Sequence, residues 1–250
     1  MGTAAMVARK THVKKRQIAL REIVRQIFFG IMFLISFSEV RAQQSDYRKE
    51  IWPEVDVFIP LKPKLRLFFM SALTKVEETK DNLEGSVQAS LDYLPNQRII
   101  LRNGYSYGFS LTGKDPFKEH RIIFEQTFRQ PIPLDILVSD RNREELRIVN
   151  GETSARYRNR LTLEREFHIG RFAPVPYGSA EVFYDSRFDT WNRNRLNVGV
   201  QIPLKRGFPL VTLIDPKRQV ILDLYFSRQN DSRSSPTHIQ AVGIAVNLYF

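Results

Sequence analysis

The sequence contains no cysteine, which rules out a disulfide framework and a thiolate metal site. It has only four histidines in 250 residues, and apart from one run near the N-terminus it has no long apolar segment. A helical span needs about 20 consecutive apolar residues. The sequence therefore excludes a helical membrane protein, and it gives little support to a catalytic or metal site built on histidine.

The N-terminal region has the pattern of an export signal. Residues 1–42 hold eight Lys or Arg against two Glu, and thus more than half of the net charge of +11. The apolar run 27–37 is too short to cross a bilayer as a single anchor, the alternative explanation, and Val40-Arg41-Ala42 suits signal peptidase. We predict a cleaved signal peptide over 1–42, a lead-in over 43–53 and a β-barrel over 54–250. With so much of the charge in the leader, nucleic-acid binding is not expected.

Beyond Ile51 the dominant periodicity is two, as in β-strands. Single-chain bacterial barrels use an even number of antiparallel strands, which predicts about 12 strands, or 10 if the first segment lies outside the barrel. We place the additional strand at Phe208 to Ile214. The eleven segments that alternate are Val55 to Leu61, Lys64 to Leu73, Glu84 to Leu94, Arg98 to Leu111, His120 to Phe128, Leu134 to Arg147, Ala155 to Phe167, Tyr177 to Asp185, Asn192 to Leu204, Val220 to Gln229 and His238 to Phe250.

The positions of the charged residues distinguish a membrane barrel from a soluble one. A soluble periplasmic ligand-binding barrel, which points its apolar face inward, would show the same alternation. The segment Ala155 to Phe167 places Arg156, Arg158 and Arg160 on one face. Each arginine on a lipid face at mid-bilayer costs about 2–4 kcal/mol, so in a membrane these side chains must point inward. The sequence favours an all-β, antiparallel transmembrane barrel.

Charged residues on the inward parity are expected to line the lumen as a dense ion-pair network. Asp135 is a further candidate for pairing, and Phe183 and Tyr225 share the inward parity and are expected to fill space. The predicted lumen-lining charged residues are Arg102, Arg121, Glu125, Arg141, Arg143, Glu145, Arg147, Arg156, Arg158, Arg160, Glu164, Glu181, Asp185, Arg193, Arg195 and Asp223.

The C-terminal segment reads as the closing strand of an outer-membrane barrel. Val242, Ile244, Val246, Leu248 and Phe250 alternate back from an aromatic terminus, and this resembles the signal read by the barrel-assembly machinery. The inward residues of this strand are small and uncharged: Ala241, Gly243, Ala245 and Asn247. We therefore expect the charge to be concentrated on the middle strands and any open path to run beside the closing strand.

Several short motifs occur in a characteristic order. They are Trp52-Pro-Glu-Val-Asp-Val, Asn103-Gly-Tyr-Ser-Tyr, Asp140-Arg-Asn-Arg-Glu-Glu-Leu-Arg, Arg156-Tyr-Arg-Asn-Arg-Leu, Pro176-Tyr with Glu181-Val-Phe-Tyr-Asp, and Trp191-Asn-Arg-Asn-Arg. Together they resemble an uncharacterised domain-of-unknown-function (DUF) family of Gram-negative outer-membrane β-barrel proteins. The resemblance implies the barrel and the outer-membrane location, and it implies no reaction.

Two further classes of function compete with a soluble carrier. The first is a non-enzymatic barrel, either a narrow channel or a filled scaffold, in contact with outer-membrane lipid and with the assembly machinery during biogenesis; an arginine excess would make an open pore prefer anions. The second is an outer-membrane enzyme acting on phospholipid or lipopolysaccharide. The available bases are His120, His168 and His238, each expected in a loop or at the rim. We predict no catalytic residue, metal or cofactor.

Overall fold

The computed structural model describes residues 47–76, 83–112, 117–170, 172–204, 219–233 and 237–250. Besides one 3-10 turn at Pro133–Asp135, the regular structure in these ranges is β-strand. The strands are β1 Tyr47–Lys62, β2 Leu65–Val76, β3 Leu83–Asn96, β4 Ile99–Ser110, β5 Lys118–Ile132, β6 Ile136–Val149, β7 Glu152–Arg165, β8 Val175–Asp185, β9 Thr190–Leu204, β10 Gln219–Asp231 and β11 His238–Tyr249.

These strands form a closed barrel in which each strand pairs with its neighbours in the sequence. The predicted β-barrel is confirmed, and each of the eleven predicted segments coincides with one strand. Side-chain periodicity succeeded here because one barrel face is polar and the other is apolar, which makes the alternation strong along every strand.

The closure differs from the expected antiparallel pattern. Strand β1 pairs with β11 in parallel, from Tyr47 opposite His238 to Phe58 opposite Tyr249. The expectation of an even strand number assumed that every neighbouring pair is antiparallel, whereas one parallel pair lets the eleven described strands close. The closed barrel formed by the described residues has eleven strands, so the predicted counts of about twelve and of ten are both off by one: β9 pairs directly with β10, and β1 is part of the wall. The parallel closure also places Tyr47 and Tyr249 at opposite ends of the barrel.

Two predictions fall on residues outside the described ranges, namely the signal peptide over 1–42 and the strand at Phe208 to Ile214. In the ranges that are described, no helix is long and apolar enough to cross a membrane.

Strand β1 begins earlier than the sequence suggested. Residues 47–53, predicted to be a lead-in, belong to the strand and pair with β11. Pro53 has no backbone N–H to donate, and the pairing of β1 with β2 is interrupted between Ile51 and Glu54. The pairing with β11 continues through Pro53 and makes residues 47–53 part of the barrel wall.

The two faces of the wall differ in chemistry. Leu196 and Val198, near the middle of β9, are exposed on the outer face, whereas Glu181 and Asp185 on β8 are fully buried inside. The outer face also carries one polar cluster. Asn159 Nδ2 donates to Asp140 Oδ1 at 2.7 Å and to Asn142 Oδ1 at 3.0 Å, and Tyr157 also donates to Asn142. Because these groups bond to one another, an otherwise apolar surface can accommodate them.

The parallel closure can be tested by cross-linking, because the chain has no cysteine that could compete. Val55 of β1 lies directly opposite Val246 of β11. Val55→Cys combined with Val246→Cys should form a disulfide on mild oxidation, since paired strands bring Cα atoms within disulfide range. The product is read as a mobility shift on denaturing gels. Val55→Cys with Val242→Cys, which are four positions out of register, should stay reduced, and a disulfide in that control alone would contradict the register.

Candidate functional site

A hub carboxylate organises one side of the barrel interior. Glu181 of β8 is 1% exposed and accepts hydrogen bonds from arginines on β6 and β7. Arg141 Nη2 and Arg160 Nη2 each lie 2.9 Å from a Glu181 oxygen, and Arg158 Nη2 lies 3.0 Å away. Arg195 Nη1 approaches to 3.8 Å. Each of these arginines faces inward from β6, β7 or β9, so a single carboxylate connects the wall across four strands.

The hub is part of one continuous network over β5 to β9. Glu145 joins Arg156 and Arg158 at 3.8 and 3.2 Å, and Asp185 joins Arg147 and Arg156 at 3.0 and 3.4 Å. The network contains five carboxylates, Glu119, Glu125, Glu145, Glu181 and Asp185, and nine arginines, Arg121, Arg141, Arg143, Arg147, Arg156, Arg158, Arg160, Arg187 and Arg195. Its formal charge is positive.

The turn after β8 extends this network to the rim. Arg187 Nη2 donates to Asp185 Oδ2 at 2.7 Å, and Arg187 Nε donates to Asp185 Oδ1 at 3.0 Å. These hydrogen bonds raise the pKa of Arg187 above its usual range. The rim charge is therefore fixed to the wall by two bonds from one guanidinium.

The ring of Phe183 contacts three of the interior arginines. Phe183 is 2% exposed, and the guanidinium carbons of Arg158, Arg193 and Arg195 lie 4.8, 5.5 and 5.4 Å from its ring centre. A ring face attracts cations, so Phe183 holds guanidinium groups in place without removing their charge.

Three smaller clusters of interior ion pairs lie outside the network, and in the one on β1 Arg48 Nε lies 2.5 Å from Glu50 Oε1. Asp92 is fully buried and binds Arg66 and Arg102, each at 2.6 Å. Asp231 accepts hydrogen bonds from Arg193. Neither Asp92 nor Asp231 was among the residues we predicted from the sequence. The alternation along β3 and β10 nevertheless places both on the inward face, where their arginine partners also lie.

The structure brings most of the predicted interior charges together. Of the sixteen, twelve belong to the continuous network, while Arg102 and Arg193 belong to the smaller clusters. Glu164 faces inward near the end of β7 and has no ion pair in the part of the chain that is described. Asp135 lies in the 3-10 turn, outside the network. Glu119 and Arg187, which sequence reasoning missed, lie at strand ends where the alternation fades.

Several carboxylates that line the interior have no ion pair among the described residues. Three of them lie on β1 and β10, namely Glu54, Asp56 and Asp223, and Glu84 lies on β3. Asp223 accepts hydrogen bonds from Tyr177 at 3.1 Å and from Gln201 at 3.5 Å. Asp56 Oδ1 is buried without a partner. Glu54 and Asp56 lie inside the predicted barrel but were not among the predicted lumen charges; the alternation Glu50, Trp52, Glu54, Asp56 was the available signal.

Both sets of charges line one cavity of about 650 Å³. The arginines of the network, the three unpaired carboxylates of β1 and β10 and Trp52 all contribute to its wall. Such a volume accommodates a small polar solute surrounded by charged groups.

The closing strand borders this cavity only in part. Ala245 and Asn247 line it, but the ring of Tyr225 covers Gly243, where an added Cβ would lie 2.0 Å from the ring. The space expected beside the closing strand is therefore partly filled by this tyrosine. On the outer face of β11, Val242, Ile244 and Phe250 are exposed, and Val246 and Leu248 are half-buried.

The three histidines lie away from the interior cavity. His120 shares a hydrogen bond with Tyr105 at 2.5 Å, His168 lies 3.3 Å from Glu166, and His238 lies 2.8 Å from Asn230. Within the described ranges, no group of three or more His, Asp or Glu side chains is arranged to hold a metal ion.

Comparisons with known proteins give a family and no activity. The family described as "Protein of unknown function (DUF2490)" matches residues 49–212, which include every motif from Trp52 to Arg195 quoted above. No curated protein sequence matches the chain. Among solved structures, the beta domain of the Bordetella autotransporter BrkA aligns with a TM-score of 0.38 and 13% identity, over 69% of this chain and 80% of that one. That similarity is too low to bear on function.

Removing the hub carboxylate should destabilise the barrel strongly. Glu181→Gln leaves several buried arginines without their shared partner, and breaking a buried ion pair from one side costs about 3–5 kcal/mol. The free energy of unfolding, measured by urea titration of the refolded barrel, should fall by that amount. Glu152→Gln removes the same charge at an exposed position and should change it by less than about 0.5 kcal/mol. Equal effects of the two substitutions would contradict the hub role.

Proposed function

Because the chain belongs to the DUF2490 family of proteins of unknown function, and because its barrel encloses a charged cavity, we propose that it is a narrow, non-enzymatic outer-membrane channel for small polar solutes. The observation that carries the proposal is the cavity of about 650 Å³ inside a closed barrel with an apolar outer face.

The ion content of the wall favours anions. In the continuous network nine arginines face five carboxylates, so the wall carries more positive charge than its own acids neutralise. Rings of Arg and Lys make pores selective for anions. A filled scaffold, the competing form of the same architecture, would bury the same network without a conducting path.

The outer surface supports placement in the outer membrane. Closed barrels and helices are the structures that can satisfy every backbone polar group within lipid. Ile122, Val198 and Val242 are each more than half exposed on the outer face, as a lipid-facing band requires. In this proposal the outward residues of β11 that end at Phe250 serve as the signal for the barrel-assembly machinery.

Ion selectivity tests the channel directly. Arg160 lines the cavity and keeps 27% of its side chain exposed, so its charge is available to passing ions. The reconstituted protein should give discrete anion-selective conductance in planar bilayers, and Arg160→Gln should shift the reversal potential in a salt gradient toward cations. Arg98→Gln, in the exposed turn between β3 and β4, should leave the reversal potential almost unchanged. Absence of conductance would reject the channel and leave the filled scaffold.

The lipid-facing surface can be tested by introducing a charge. Leu196 is 56% exposed near the middle of β9, and Leu134 is 71% exposed in the turn before β6. In lipid vesicles Leu196→Arg should lower the free energy of unfolding by about 2–4 kcal/mol, because a charge at mid-bilayer must be moved out of hydrocarbon. Leu134→Arg should have almost no effect. Equal small effects would place the barrel in water.

A further inference from the structure

The cavity has two walls of opposite charge. The arginine wall is formed mainly by β6 and β7, and three unpaired carboxylates lie on β1 and β10. In the order of strands around the barrel, β6 and β7 lie five or six places from β1 in either direction. Strand β1 therefore faces the arginine wall across the interior, and β10 lies two places from β1 on the same side of the ring.

Among the described residues, no ion pair joins the arginine wall to the three carboxylates of β1 and β10. Glu54 interacts electrostatically with four arginines of the opposite wall, although none of them comes within the 4.0 Å of a salt bridge: Arg141, Arg143, Arg158 and Arg160. Donors and acceptors remain unused on both sides. Arg141 Nε, Arg160 Nε and Asp56 Oδ1 are buried without a hydrogen-bond partner. A group placed in the gap between the two walls could complete both of them.

The pairing of β1, β11 and β10 leaves space for such a group beside the carboxylates of β1 and β10. Glu54 lies opposite Ala245 of β11, and Ala245 lies opposite Asp223 of β10. The two carboxylates are thus separated by one strand whose side chain at this level is a single methyl group. Asp56, the next inward-facing residue of β1 after Glu54, lies opposite Asn247. We call the part of the cavity that these three carboxylates line the acidic recess.

We propose that this cavity binds a small zwitterion, with its oxyanion on Arg141 and Arg160 and its ammonium in the recess formed by Glu54, Asp56 and Asp223. The inference rests on the proposed solute-accessible lumen. A simple anion can pair only with the arginines, and a simple cation only with the carboxylates. A molecule with both charges, such as a short peptide or a phosphorylated amine, is attracted at both ends.

Tryptophan fluorescence can report this binding, whether or not the barrel conducts ions. The chain has two tryptophans, and Trp52 lines the cavity with the Arg195 guanidinium 4.8 Å from its ring centre. Trp191 lies on the outer face, 57% exposed, so Trp191→Phe leaves Trp52 as the single reporter. Triglycine should change the Trp52 emission at concentrations at least about tenfold lower than N-acetyl-triglycine or triglycine amide, since a charge-assisted contact contributes about 1.5–3 kcal/mol. O-Phosphoethanolamine, titrated in parallel, shows whether phosphate or carboxylate is the preferred oxyanion.

The acidic recess is tested by Glu54→Gln combined with Asp223→Asn. Neither carboxylate has an ion pair within the part of the chain that the structure describes, so the barrel should fold as before, as circular dichroism would verify. Triglycine affinity should fall about tenfold, while N-acetyl-triglycine should bind as well or better because repulsion is removed. Glu166→Gln, at an exposed position outside the cavity, should change neither affinity.

Three results would overturn the inference: equal affinity for triglycine and its two capped forms, an unchanged triglycine preference in the double variant, or loss of both ligands in that variant. Anion-selective conductance accompanied by equal affinities would overturn the zwitterion site alone. Zwitterion binding without conductance would overturn only the channel.

Discussion

Most of the arginine and carboxylate groups inside the barrel are paired with each other, and this pairing is needed because an isolated charge in a low-dielectric interior costs several kcal/mol. Glu181 meets this requirement for arginines from three neighbouring strands at once. Its position on β8, opposite Arg160 of β7 and Arg195 of β9, depends on the register of both pairings. A slip of one residue would turn these charges outward. The network thereby specifies the register of the central strands.

The network also explains why the interior is asymmetric. Its arginines exceed its carboxylates, and the carboxylates Glu54, Asp56 and Asp223 are held on β1 and β10, out of salt-bridge reach of these arginines. Small residues on β11 separate these acids, and Tyr225 fills the space over Gly243. Charge separation of this kind is costly unless water or a solute occupies the gap. The cavity of the barrel lies between these separated charges, where water or a solute can solvate them.

Much of the architecture could be predicted from side-chain alternation, because each strand has one polar and one apolar face. All eleven segments were predicted, but the parallel pairing of β1 with β11 that closes the barrel was not. The alternation within a strand does not show in which direction the neighbouring strand runs. Parity likewise identified Arg158 and Glu181 as interior residues. It could not identify their contact, which depends on the register between β7 and β8. Glu54 was omitted although it shares the inward parity of Trp52 and Asp56.

The central claim is that the arginine face of the wall lies in water and the opposite face in lipid. A spin-label scan of single cysteine variants along β7 in lipid vesicles measures this most directly. Collision with oxygen should peak at Leu161 and Leu163, and collision with a water-soluble relaxation agent should peak at Arg160 and Thr162. Two oscillations of period two in opposite phase are the expected result. Loss of the oscillation, or its reversal, would contradict the account.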